Sequence, residues 1–235
     1  MRRDYAAPAA SGDVDPHHVR RQWAERSGEY SPAYYAYRGP DGTSESLRET
    51  VERYVAPEAP VLEVGCSAGR HLAHLHRHGF EDLTGVDVNA DALEVMAEAY
   101  PALAEAGTFR VAAIEDAAAG FADDRFAATY SVETLQHLHP DADGTLAELA
   151  RVTESLLVTV ENEGDAGTDR SGTSVTYVDD DLPLYHRNWA EVFTDLGFVQ
   201  VDVSVGERDT MRTFLSEGKW ERERERERER EPARE

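Results

Sequence analysis

The sequence predicts an α/β fold, a doubly wound sheet with helices on both faces. Three observations carry this. Strand-like and helix-like runs alternate from Val61 to Leu215, the pattern of consecutive βα units. The apolar run Val61-Leu62-Glu63-Val64 leads into a bend holding Gly65 and Gly69 and then into a helix start. The next strand-like run, Leu83-Thr84-Gly85-Val86-Asp87-Val88, carries an acid near its end. That acid follows the glycines by about 20 residues, the spacing at which a strand-end carboxylate meets a ribose in a βαβ nucleotide site.

The elements follow in order. Residues 1–15 are rich in Ala, Pro, Gly and Asp and read as a loose terminus. His17–Glu29 is a short helix around Trp23, and Tyr30–Pro40 is an aromatic loop. Ser44–Val55 is a helix with Leu47, Val51, Tyr54 and Val55 on one face. Pro57 and Pro60 end it and lead into strand Val61–Val64. A helix over His71–His78 and strand Leu83–Val86 come next. Helix Ala90–Tyr100 is stopped by Pro101. Phe109–Val111 and Ala128–Ser131 are strands, Ala142–Arg151 is a helix, and Leu156–Val160 is a strand. Helix Trp189–Leu196 is closed by Gly197. Phe198–Val203 and Met211–Leu215 form a final strand pair. The closing Glu-Arg alternation is of low complexity and reads as disordered or as a frayed, solvated helix.

The bend defines a chemistry. Gly65 and Gly69 permit positive φ and leave no Cβ in the way of a ligand. The helix behind them points free N–H groups at the site, which suits a carboxylate or phosphate. The bend is G-x-x-x-G, with Ser67 and Arg70 where a dinucleotide loop G-x-G-x-x-G would place glycine, and no Walker Gly-Lys-Ser/Thr occurs. Pyrophosphate ligands are therefore disfavoured.

Val61-Leu62-Glu63-Val64-Gly65-Cys66-Ser67-Ala68-Gly69 resembles motif I of the class I S-adenosylmethionine (SAM)-dependent methyltransferases, with Ser67 in place of the middle glycine. The resemblance implies that the methionine part of SAM lies along Gly65, Cys66, Ser67 and Gly69, with Glu63 near its ammonium group. It implies that Asp87, with Val88 beside it, accepts hydrogen bonds from the ribose hydroxyls. Ile114-Glu115-Asp116 is similar to the segment whose acid binds the adenine amino group, and Glu115 or Asp116 fills that place, with Asp116 preferred. Phe126–Leu138, with Ser131, is similar to strand four and the turn after it, although the usual acid after the phenylalanine is Ala127 here. The family also implies a mostly parallel seven-stranded sheet with an antiparallel last strand. The domain reading is a cap over residues 16–57, a methyltransferase domain over 58–220 and a Glu/Arg tail over 221–235.

Methyl transfer requires an aligned nucleophile, and a hydroxyl nucleophile also requires a base. Glu133 and His137, after strand four, are the first candidates, His139 lies beside them, and His186 before the last helix is another. Tyr30, Tyr34, Tyr35 and Tyr37 either form a lid or pack the cap onto the core. The expected activity is O-methylation of a small molecule or sugar. Alternatives are a protein or RNA methyltransferase, an inactive SAM-binding protein, and a short-chain NAD oxidoreductase, the last opposed by the lack of a Tyr-x-x-x-Lys pair. The chain lacks the (Asp/Asn)-Pro-Pro-Tyr of base N-methylation, the Pro-Cys of cytosine C5 chemistry and the thiol set of an arsenic methylase.

The 235 residues suit one domain with additions. The single cysteine, Cys66, excludes a disulfide framework. No apolar run is long enough for a membrane span and no secretory leader is evident, so the cytoplasm is expected. Net charge is −23, from 47 acidic against 24 basic residues, and the only lysine is Lys219. That surface resembles proteins of salt-accumulating archaea, and it disfavours nucleic acid as a partner. No metal site is expected. His71, His74, His76 and His78 lack any carboxylate partner and read as a solvated helix face, and Asp179-Asp180-Asp181 reads as a solvated loop. The oligomeric state is left open.

Overall fold

The computed structural model describes residues 16–164, 174–178 and 182–230. The loose N-terminus expected over 1–15, the Asp179–Asp181 triplet and the last five residues of the tail lie outside the described residues.

Three helices come first: α1 (Pro16–Ala24), α2 (Pro32–Arg38) and α3 (Gly42–Tyr54). The βα series follows, with β1 (Val61–Val64), α4 (Arg70–Arg77), β2 (Leu83–Asp87), α5 (Asp91–Ala99), α6 (Pro101–Ala106), β3 (Thr108–Val111), α7 (Ile114–Ala119) and β4 (Phe126–Val132). After two single 3-10 turns, Leu135–His137 and Pro140–Ala142, come α8 (Gly144–Val152), β5 (Thr153–Glu161), β6 (Ser174–Val178) and β7 (Leu182–His186). The chain continues through α9 (Trp189–Asp195), β8 (Phe198–Val205), β9 (Thr210–Ser216) and α10 (Glu217–Arg230).

Seven strands form one sheet in the order β3-β2-β1-β4-β5-β9-β8, and β6 and β7 form a separate hairpin. Strands β1 to β5 pair in parallel, and β9 runs antiparallel to both β5 and β8. The sheet and the antiparallel last strand match the sequence expectation. Because β1 is buried on both faces, every residue in it is apolar except Glu63. Alternation splits the strand between two cores. Val61 faces Leu47, Val51, Leu72 and Leu75 of α3 and α4, while Leu62 and Val64 face Leu146, Leu149, Trp189 and Phe193 of α8 and α9. Strand order reverses at the β1–β4 pair, so the crevice beyond their carboxyl ends is the ligand position in an open α/β sheet.

One local expectation is corrected, one is extended, and two elements are added. The aromatic segment is not a loop, because Ser31 caps a helix, its hydroxyl accepting from Tyr34 N at 3.3 Å, and Pro32 supplies the fixed φ of the first turn. Pro101 ends α5 but also starts α6. Ile114–Ala119 is helical, and the β6–β7 hairpin had no counterpart in the sequence reading. The tail takes the helical one of its two expected forms, from Glu217 through Arg230, and Trp220 packs against the core.

Candidate active site

A cleft of about 170 Å³ opens at the β1–β4 reversal. A single buried water needs on the order of 10–15 Å³, so this space is of ligand size. The bend after β1 forms its floor. Gly65, Ser67 and Gly69 all adopt left-handed φ, at 70°, 49° and 76°. Gly65 is needed twice over, since a Cβ there would lie 2.1 Å from Thr134 Oγ1 on the turn after β4. The two turns therefore touch, and the cleft lies along their shared edge.

Asp87 closes the far side of the bend. Its Oδ2 accepts from Ser67 N at 2.7 Å and its Oδ1 from Asn89 N at 2.8 Å. Burial raises the Asp87 carboxyl, and the backbone donors of Asn89, Ser67 and Val88 pull the other way. Each oxygen keeps a second acceptor direction for a ligand hydroxyl. Glu63 is buried and accepts from Tyr130 Oη at 3.2 Å. Burial pushes its carboxyl well above the usual range, against the Tyr130 hydrogen bond and the Arg70 charge that pull it down.

Of the residues predicted to hold a cofactor, Glu63, Gly65, Cys66, Ser67, Asp87, Val88 and Glu115 line the cleft. Gly69, Asp116 and Ser131 do not. Gly69 serves as the left-handed cap of α4. Asp116 is exposed on α7, one position on from Glu115, and so turns away. The buried Ser131 hydroxyl donates to Glu161 Oε1 at 2.6 Å. Burial raises the Cys66 thiol, so its contribution is steric.

Of the predicted bases, Glu133 and His137 line the cleft and His186 does not. His186 is buried in the β6–β7 hairpin, with Nε2 at 2.7 Å from Thr176 Oγ1 and Nδ1 at 3.3 Å from the carbonyl of Asn162. Both ring nitrogens are thus engaged by protein. The His137 Nδ1 lies 3.1 Å from the carbonyl of Pro183. A carbonyl only accepts, so Nδ1 carries the proton and Nε2 the lone pair. Burial lowers His137 to about 4, so the ring is neutral near pH 7. His139 also lines the cleft. Glu133 holds φ at 48°, a strained position for a non-glycine residue. It interacts with Tyr35 of α2, whose hydroxyl is pushed up first by burial and then by the Glu133 charge. It also meets Asp209, on the β8–β9 turn, which burial and then the Glu133 carboxylate raise to about 7.

Two side chains that build this site were missed. Glu161, the last residue of β5, is fully buried and accepts from the backbone N–H groups of Thr134 (3.0 Å), Leu135 (3.1 Å) and Gln136 (3.2 Å). A carboxylate set at the start of the single turn Leu135–His137 fixes the segment that presents Glu133 and His137. Asn89 is the other. Its Nδ2 donates to the carbonyls of Trp23 and Arg26, both at 3.1 Å, which ties α1 and the chain after it over the cleft. Tyr30 and Tyr35 line the cleft with them. Tyr34 stacks edge-on against both, while Tyr37 is exposed.

The expectation that the histidine run lacks a carboxylate is corrected. Glu45 on α3 reaches across to it, and its Oε2 lies 2.7 Å from His74 Nε2. This contact is 29 residues long-range and has no trace in local spacing.

The fold is that of the class I SAM-dependent methyltransferases, and residues 61–155 match the family described as Methyltransferase domain. A Burkholderia thailandensis 1,6-didemethyltoxoflavin-N1-methyltransferase, solved with its substrate and S-adenosylhomocysteine, superposes with a TM-score of 0.68. The two are 18% identical, with 89% of this chain and 94% of that one covered. An O-methyltransferase of Pyrenophora dematioidea is 25% identical over 48% of this chain and 45% of its own length. Cycloartenol-C-24-methyltransferase 1 of Oryza sativa subsp. japonica is 29% identical over 46% and 34%. The chain thus spans less than half the length of the curated relatives it matches.

Proposed function

We propose that this chain is a SAM-dependent methyltransferase acting on a small molecule, with a hydroxyl, on a sugar or another small scaffold, as the methyl acceptor. One observation carries the cofactor reading, the left-handed bend Gly65–Gly69 joined directly to Asp87 at the mouth of a ligand-sized cleft. The residues present fit SAM. The bend carries no side chain at Gly65, where a Cβ would strike Thr134, Glu63 offers a buried carboxyl whose ionised form an ammonium would stabilise, and Asp87 retains acceptor directions for the ribose. Glu115 takes the adenine side. When bound, SAM supplies an already activated methyl group.

The chain's own residues then have two tasks. The cap formed by α1 and α2, held by Asn89, shuts the acceptor in and excludes bulk water. Glu133 or His137 removes the acceptor proton. Glu133 is the preferred base, because it lines the cleft at a strained backbone position with Asp209 and Tyr35 beside it. The named relatives methylate oxygen, carbon and nitrogen by their titles, so the hydroxyl preference rests on this pair of candidate bases rather than on likeness. A cleft capped by helices favours a small acceptor over a folded protein or RNA. The acidic surface supports work in a salt-rich cytoplasm, as expected of a halophile.

The test is calorimetric titration in molar KCl with SAM and, separately, with NAD. Saturable SAM binding with no NAD binding is expected. Release of S-adenosylhomocysteine with a pool of hydroxylated metabolites then separates an enzyme from a silent binding protein. NAD binding in place of SAM overturns the reading.

A further inference from the structure

We propose that Glu45, His74 and His78 form a zinc site that fastens α3 to α4, outside the cleft. The three side chains each bring one ligand atom within 4.8 Å of the others. His74 and His78 are four residues apart at the C-terminal end of α4, so their rings stand on one face, with centroids 4.5 Å apart.

The surroundings prepare each ligand. The His78 Nδ1 lies 2.8 Å from the carbonyl of His74. The carbonyl only accepts, so Nδ1 holds the proton and Nε2 presents its lone pair, which is the usual second bond of a metal-bound histidine. Glu45 is gripped by Arg48, which donates from Nε to both carboxylate oxygens, each at 3.1 Å, and from Nη2 to Oε1 at 2.8 Å. That fork orients the carboxylate towards His74. Arg48 has further partners in Glu52 and Glu49, so its charge is balanced when Glu45 turns to a cation.

In the empty site the His74 Nε2–H donates to Glu45 Oε2 at 2.7 Å. Zinc takes the Nε2 lone pair of the neutral ring, whose single proton then sits on Nδ1, and the N···O separation widens to about 3.3 Å for two ligands of tetrahedral zinc. Two imidazoles and one carboxylate suit Zn²⁺ among common cations, with water in the fourth place. The site sits beside other α3–α4 links, His71 to Ser44 (2.8 Å) and Arg70 to Asp41 (2.7 Å), and would stiffen the helix that leaves the Gly65–Gly69 bend.

The test uses the tag-free full chain, stripped with chelator, in molar KCl so that the acidic surface does not collect cations. Co²⁺ is titrated while its visible bands are followed, and Zn²⁺ is measured by equilibrium dialysis. One equivalent of each is expected, with affinity falling as pH drops. His78→Ala and Glu45→Gln each weaken binding at least tenfold, while His76→Ala leaves it unchanged. Because His78 is exposed, circular dichroism of His78→Ala should match the parent. In the unsubstituted chain, Zn²⁺ should shift two imidazole Hε1 resonances in the proton spectrum and leave the others in place. Absence of saturable one-to-one binding, equal binding by His78→Ala, or shifts spread over all histidines overturns the proposal.

Discussion

The backbone N–H of Ser67 donates to Asp87 Oδ2 at 2.7 Å, joining the bend after β1 to the end of β2 across 20 residues. Asp87 is therefore a structural acceptor before any ligand arrives. Its second oxygen holds Asn89, and Asn89 holds the cap. One carboxylate shapes the floor of the cleft and, through its neighbour, the roof.

Asp87→Ala should therefore have two effects. Loss of the ribose contacts removes one or two charge-assisted hydrogen bonds, each of about 1.5–3 kcal/mol, and weakens SAM binding at least tenfold. Two backbone donors also lose their acceptor, so the melting temperature falls. Titration calorimetry and thermal unfolding in molar KCl read the two effects separately. A dissociation constant equal to the parent's rules out the ribose role.

Ser67 occupies a left-handed position at φ 49°, where a side chain is strained. Ser67→Gly relieves that strain but gains freedom in the unfolded chain. The net expectation is a stabilisation of about 0.5–1 kcal/mol, with SAM affinity unchanged within twofold. Chemical denaturation measures it. A loss of stability means that the serine side chain contributes a contact worth more than its strain.

The bend and the acid beside it were largely legible because their signals are local. Glycine at positive φ, an acid at a strand end and buried apolar strands leave marks within a few residues. Glu161 left none. It reads as one more acid at the end of β5, and only the pairing of β5 with β4 brings it under Thr134, Leu135 and Gln136. The same holds for Glu45 beside His74, contributed by a different helix. His186 failed for the opposite reason. Its position before α9 was read correctly, but the unforeseen β6–β7 hairpin turns its ring inward against Thr176. The choice between Glu115 and Asp116 needed α7, since only a helix sends adjacent side chains about 100° apart.

A net charge of −23 should make the fold salt-dependent. At molar salt the Debye length is about 3 Å, and repulsion between surface carboxylates is screened. In millimolar salt that repulsion acts over tens of ångströms. Far-UV circular dichroism and unfolding temperature should both decline as KCl is lowered from molar to millimolar. Superimposable melting curves at the two extremes contradict the expectation.

The Glu133–Asp209 pair supplies a pH signature whose sign can be worked out. Asp209 rises from 3.8 unfolded to about 7 folded. The native state then holds a proton that the unfolded chain has released, so this group's stabilisation is full below about pH 4 and fades as pH climbs through 7. Glu161, raised from 4.5 to about 7 by burial, acts in the same direction. His71 and His137, lowered by burial to about 3 and 4, act oppositely, since their contribution grows as pH rises towards 6.5. The parent melting curve therefore mixes both signs, and the informative quantity is a difference. In Asp209→Asn the amide cannot lose a proton and still donates to Glu133. Its melting temperature relative to the parent should increase steadily from pH 5 to pH 8 in molar KCl. A melting difference independent of pH means that the two carboxyls do not share a proton.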